Sequence, residues 1–424
     1  MPQPVTAWQG KLKCPLQTDA ERACDCRANA VNLVRAKVGG TMLSESDLNW
    51  LVNVRHHLHQ HPELSCDEAT TSAYIAERLA ELGIPAVTGI GGYGVVATLQ
   101  GHGNGPAVGL RADMDALAIT ERTDLPYSSK NPGVMHACGH DGHMTILLGA
   151  AMILKRSNFA GQVHLIFQPA EEKVGGARLM LADGLFQRFP MQQIFGLHNW
   201  PGLHAGQVVL HDGPVMAGTS EFALRFTAAG GHASMPHLTG DPLLAGGHFM
   251  TGIQQAVARS VDPLESAVVT VGTFHGGSAQ NIIPQGADLT GTLRAFRTET
   301  LLHLQDRVRR VAHAAAEMAG CGADLTFDAV LCRPVINTPT ERDIMRNAAQ
   351  GAGLRLGDPM APSMGGDDFG EFLHLLPGAY AFLGNGERAD ENGLHQPKYD
   401  FNDAIIAPGA MLLAHSALLA LGQS

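Results

Sequence analysis

A change of pattern between residues 220 and 332 constrains the fold of this chain more than any other feature. Before it, apolar strand-like runs at 94–99, 106–113, 162–168, 194–198 and 207–211 alternate with helical stretches near 142–155 and 176–183. Such alternation predicts a helix-covered, largely parallel or mixed sheet of the α/β class. Within the interruption the order becomes βαββαβ: a strand at Glu221–Phe226, a helix at 241–260, strands at 267–274 and 287–296, a helix at 299–319 and a strand near 324–331. This is the order of a split-βαβ, ferredoxin-like unit. The α/β pattern resumes with helices at 341–350, 367–375 and 403–421 and a strand at 379–384. The simplest architecture is one α/β domain, residues 42–216 and 333–424, interrupted by an α+β domain at 217–332.

Two helices precede the first strand. Ser44 and Ser46 can cap one that carries Leu48, Leu51, Val52 and Leu58 and stops near Pro62. Ser65 followed three residues later by Glu68 has the spacing of a capping box, opening a helix through Ile75, Leu79 and Leu82 to Gly83. Residues 1–41 differ in composition and read as a disordered or loosely docked extension, with an alternative translation start at Met42. Its Cys24-Asp25-Cys26 offers two thiols, too few to close a metal site.

Several function classes fall away. A net charge of −11 disfavours a nucleic-acid groove or an anionic membrane surface. No apolar stretch approaches the about 20 residues needed to cross a bilayer. The N-terminus lacks a secretory pattern, and seven irregularly spaced cysteines do not outline a disulfide framework, so a cytoplasmic location is expected. Gly89-Ile90-Gly91-Gly92-Tyr93-Gly94 matches a dinucleotide-binding string but precedes a strand instead of a helix, and so reads as a turn. His56, His57, His59 and His61 point around a helix and close no coordination sphere.

The run His136-Ala137-Cys138-Gly139-His140-Asp141-Gly142-His143 carries chemistry. Cys138 and His140 lie on the turn entering an apolar helix, where a thiolate is favoured and can bridge two cations. The strand ending at Gln168 runs into Glu171-Glu172, adjacent carboxylates at the carboxyl end of a sheet strand, where α/β folds place ligands. One can bind metal while its neighbour moves protons. His198 ends another apolar strand, and His395 sits in a late loop. Together these residues can hold two metals.

These segments resemble the hippurate hydrolase, aminoacylase and plant auxin-conjugate hydrolase group of dinuclear metallopeptidases. The likeness runs from Leu48 to Leu421 through Leu58-His59 with Pro62-Glu63-Leu64, Arg111-Ala112-Asp113-Met114-Asp115-Ala116-Leu117, Cys138–His143, Gln168–Glu172, Gly196-Leu197-His198, Gly230–Ser234, Asn281–Pro284 and Leu394-His395. The resemblance implies a mixed-sheet metallopeptidase domain and an inserted lid that also forms a homodimer or higher homo-oligomer. It implies two divalent ions, zinc or manganese first and cobalt or nickel as alternatives. Cys138 would bridge them, with His140 and His198 on one and Glu172 and His395 on the other. Glu171 becomes the general base towards a water activated by the ions. His232 reaches a neighbouring site to stabilise the oxyanion, and Asn281 and Arg294 contact the substrate amide and carboxylate. Asp113 and Asp115 orient ligands. Gly366-Asp367-Asp368-Phe369 departs from the usual Gly-Ser-Glu-Asp-Phe run by shortening one acid. The implied reaction is hydrolysis of an N-acyl or N-aroyl amino acid to a carboxylic acid and an amino acid. A dipeptidase or aminopeptidase on the same centre, and a non-catalytic metal- or ligand-binding dimer, are the alternatives.

Overall fold

The computed structural model describes residues 43–173, 175–328, 332–388 and 391–422; the expectations for residues 1–41 lie outside these. Helix α1 (Glu45–Gln60) begins with a full capping box, but its partners are Ser44 and Asp47. Helix α2 (Ala69–Glu81) corrects an expectation: its N-cap Glu68 makes no capping bond. Instead Glu63 accepts from the backbone N–H groups of Thr70 and Thr71, at 3.2 and 2.8 Å. Ser65 and Glu68 turn away from the helix, towards residues distant in sequence.

Strands β1 (Ala86–Ile90), β2 (Gly94–Gln100), β3 (His102–Asp113), β4 (Ala160–Gln168), β5 (Gln193–Pro201) and β6 (Val208–Val209) precede the insertion. They are interspersed with α3 (His140–Arg156) and α4 (Gly176–Ala182). The glycine string Gly89–Gly94 forms the β1–β2 turn, as its sequence context predicts.

The insertion supplies β7 (Gly218–Thr227), α5 (Pro242–Gly252), β8 (Ala267–Gly276), β9 (Gly286–Ala295), α6 (Thr298–Met318) and β10 (Gly322–Phe327). The helix expected over 241–260 is split into α5 and a short turn of helix at Gln255–Ala258, and the last strand ends at Phe327, with 329–331 of its expected span outside the described residues. After it come α7 (Pro339–Gly351), α8 (Phe369–Leu373), β11 (Gly378–Gly386) and α9 (Ile406–Ala420).

The main sheet has the order β1-β2-β4-β3-β5-β11-β6. Its centre, β4-β3-β5-β11, is parallel, and β1, β2 and β6 pair antiparallel. Alternate residues enter opposite cores, as a two-residue period requires. From β4, Val163, Leu165 and Phe167 pack under α1, α3 and α9, whereas Ile166 joins Met180, Phe369 and Phe372 on the other face. The insertion has its own core and an antiparallel sheet of order β8-β9-β7-β10.

One expectation about apolar runs needs revising. Asp403–Ala420 has a mean hydropathy of 1.5 over 18 residues, long and apolar enough by composition to cross a membrane. It is 61% buried inside the molecule, and the α9 part packs on α3, where a Cβ on Gly149 would meet Ala410 at 2.9 Å. A helix packed mostly inside the molecule needs little polar face, so this is a core helix.

Candidate active site

The carboxyl ends of the parallel strands and the insertion enclose a cavity of about 1080 Å³. Cys138, Glu171, Glu172, His198 and His395 line it from the sheet side, and Thr219, Glu221 and Arg294 from the insertion. Gly139 caps α3 at φ +89°, and a Cβ there would meet Asn199 Nδ2 at 2.4 Å and the Tyr399 hydroxyl at 2.5 Å. Only glycine fits that approach, and it turns Cys138 into the cavity wall, with His140 buried behind it.

The hydrogen bonds of each imidazole determine which nitrogen can bind metal. His140 Nδ1–H donates to the Asp115 carbonyl at 2.8 Å, leaving Nε2 free. His198 Nδ1–H donates to the Asn199 carbonyl at 2.7 Å, and its Nε2 lies 3.3 Å from Cys138 Sγ. His143 is different: Nδ1 meets Asp113 at 2.6 Å and Nε2 accepts the Asn199 N–H at 3.0 Å, so both positions are used. His136 is buried and pushed down to about 4 by that burial, a neutral side chain outside the ligand clusters.

Two clusters share the thiol. Ligand atoms of Cys138, His140 and His198 lie within 4.8 Å of one another, as do those of Cys138, Glu172 and His395. His395 Nε2 is 3.3 Å from Glu172 Oε1, and His140 Nε2 is 3.9 Å from the same oxygen. Buried His140 Nε2 and Glu172 Oε1 make no hydrogen bond among the described residues. Polar atoms buried this way are costly unless something binds them.

The charge balance agrees. Burial, then Glu172 and Glu171, push the Cys138 thiol well above its ordinary range, so a thiolate requires a cation within bonding distance. Burial opposes a charged His140, but Asp113 and Asp115 outweigh it and raise the imidazole to about 10. The site demands positive charge, and its thiol, imidazole and carboxylate donors suit divalent transition metals.

Glu171 faces differently from Glu172. Its carboxylate clusters with Asp367 and Asp368, and burial followed by Asp367 and Glu172 raises it well above the usual range. Those two aspartates are held by Arg111, buried at 1% exposure, at 3.2 and 3.1 Å. Arg111 also meets Asp113 at 2.7 Å and Gln168 at 2.9 Å. Sequence reading gave no role to Arg111, although it stands in the quoted 111–117 segment.

The remaining expected residues separate. Arg294 lines the cavity and donates to the Met364 carbonyl at 2.8 Å. His232 and Asn281 are exposed neighbours on a short ribbon of the insertion and do not line this chain's cavity. Ser234 N–H donates to His232 Nδ1 at 3.1 Å, so a neutral His232 carries its proton on the outward Nε2.

Peptidase family M20/M25/M40 matches residues 109–418. The chain belongs to this family. This M20 chain is 36% identical over 405 residues to the IAA-amino acid hydrolase ILR1-like 4 of Arabidopsis thaliana, covering 92% of the chain and 90% of that protein. It is 38% identical over 370 residues to the hippurate hydrolase of Campylobacter jejuni, with 86% and 95% covered. A crystal structure described as a dinuclear metal-binding M20 peptidase from Bacillus subtilis superposes with a TM-score of 0.77 at 32% identity, covering 90% of this chain and all of that one. The mixed α/β class expected from the sequence is therefore the M20 fold.

Proposed function

We propose that this M20 protein is a dinuclear metal-dependent amidohydrolase acting on N-acyl or N-aroyl amino acids. The observation carrying this reading is the pair of donor clusters meeting at Cys138, beside a second carboxylate that belongs to neither. Similarity to an IAA-amino acid hydrolase and a hippurate hydrolase supports the substrate class. Cys138 is taken as the shared ligand, with His140 and His198 on one ion and Glu172 and His395 on the other; zinc or manganese suits these donors. Two such cations supply Lewis acidity, lowering the pKa of water and polarising the scissile carbonyl. Glu171 removes a proton from the attacking water and delivers it to the leaving nitrogen. Arg294, with a planar fork of donors, receives the substrate carboxylate. The free thiols of Cys66, Cys138, Cys321 and Cys332 suit a reducing cytoplasm.

A panel of N-acetyl, N-benzoyl and indole-acetyl amino acids, assayed beside free dipeptides with each divalent metal, tests this assignment. Turnover of the acylated set is expected. Turnover confined to dipeptides would replace it with a peptidase.

We further assign His232 and Asn281 to the cavity of a second copy, docked through the insertion. The insertion exposes Leu238, Leu244, Ile282 and Met235 at 68, 50, 49 and 45%, an apolar set suited to burial between copies. His232 Nε2–H would then donate to the oxyanion across the interface. Mixing inactive Glu171→Gln with inactive His232→Ala is expected to restore activity, since hybrid dimers combine an intact base with an intact donor. No recovery after verified subunit exchange would place His232 elsewhere.

A further inference from the structure

The misread capping pair leads to a role for Glu68. Four non-glycine residues among those described adopt positive φ, and Ala170, at +53°, immediately precedes Glu171. An L-residue held in this left-handed region costs about 1–2 kcal/mol unless its surroundings enforce it. At Ala170 they do so from both sides. Its N–H donates to Glu68 Oε1 at 2.7 Å, and its carbonyl accepts from Gly176 N–H at 2.9 Å. Gly176 is needed for that closure, because a Cβ there would lie 1.6 Å from the Pro169 oxygen.

The 63–68 loop supports the same turn a second time. Ser65 Oγ–H donates to Asp115 Oδ2 at 2.7 Å, and that oxygen also accepts the Glu172 N–H at 3.0 Å. Glu68 itself is fully buried, does not line the cavity and makes no helix-capping bond. A buried carboxyl with Oε2 unpartnered is an expensive way to provide one acceptor.

We propose that Glu68 is a positioning residue whose Oε1 holds the Ala170 peptide in its left-handed turn, so that Glu171 and Glu172 diverge, one towards the proton and one towards the metal. This rests on the reading of Glu171 as the base. The function needed is an acceptor at the right reach. Burial, with a smaller push from Asp115, raises this carboxyl to about 7 against the backbone N–H groups that lower it, which suits a neutral acceptor as well as an ionised one.

The test compares Glu68→Gln, which keeps an acceptor oxygen at full reach, with Glu68→Asp, which keeps the charge but withdraws it by one methylene. Glu68→Ala is added where it folds. Glu68→Gln is expected to keep kcat within about threefold, whereas Glu68→Asp and Glu68→Ala lose about 10–100-fold, the size of an error of about 1 Å in placing a reacting group. KM should stay near that of the parent, because Glu68 does not line the cavity, and so should metal content, because Asp115 still accepts the Glu172 N–H. Ala170→Gly added to Glu68→Asp should recover part of kcat, as glycine adopts the turn without strain. Equal losses in Glu68→Gln and Glu68→Asp, or a pH profile displaced only in Glu68→Gln, would overturn the acceptor role. Unchanged kcat in Glu68→Asp, with Glu171→Gln inactive, removes Glu68 alone. An active Glu171→Gln removes the assignment of the base.

Discussion

Replacing Glu171 with glutamine is expected to lower kcat by about 10²–10⁴-fold, the usual contribution of a general acid–base group, with both metals retained. The two neighbouring carboxylates make the distinction sharp. Glu172 shares its cluster with Cys138 and His395, whereas Glu171 also belongs to one with Asp367 and Asp368. Glutamine fills the same volume and removes one of three crowded acids, so the fold should be unharmed or slightly more stable. A dead, metal-replete, stable variant separates proton transfer from ligation and from folding. Metal loss in Glu171→Gln, measured by elemental analysis, would mean that the two glutamates have exchanged roles.

The second large effect is on stability. Arg111→Met is expected to cost about 3–5 kcal/mol, the range for removing one partner of a buried ion network. Asp113, Asp367 and Asp368 would remain buried without their guanidinium. The penalty should depend on pH. Burial already raises Asp368 to about 7, against Arg111, which pulls it down. A carboxyl whose folded pKa lies above its unfolded value destabilises the fold as pH rises from the unfolded value through the folded one. Removing Arg111 raises Asp368 further, so the loss should be greater at pH 8 than at pH 5. Urea midpoints at the two pH values check this. Equal midpoints for parent and variant would show that the network contributes nothing to stability.

What the sequence revealed, and what it concealed, follows the range of each interaction. Alternation along Val163, Leu165 and Phe167 is a local signal, and the strand stands where that period predicts. Cys138, His140 and the Glu171-Glu172 pair sit at element boundaries whose local chemistry marks them as candidates. Ser65 and Glu68 mislead because their spacing satisfies a local rule, while their partners lie at Asp115 and Ala170. Arg111 joins acids 256 and 257 positions away, a connection no periodicity encodes. Asp367 does adjoin the proposed base, as its departure from the usual run hinted, but its partners appear only in three dimensions.

The arrangement of the chain also bears on its biogenesis. The insertion is continuous in sequence, encloses its own core and can condense while later residues are still being synthesised. The surrounding domain must wait. β11 enters the interior of the main sheet between β5 and β6, α9 then covers α3, and His395 lies between these two elements. A nascent chain arrested before His395 therefore presents Cys138 and Glu172 with their cluster unfinished, however long it pauses. On the proposed ligand assignment, the cluster of Cys138, His140 and His198 could take its ion first, and the second ion would wait until His395 has been synthesised.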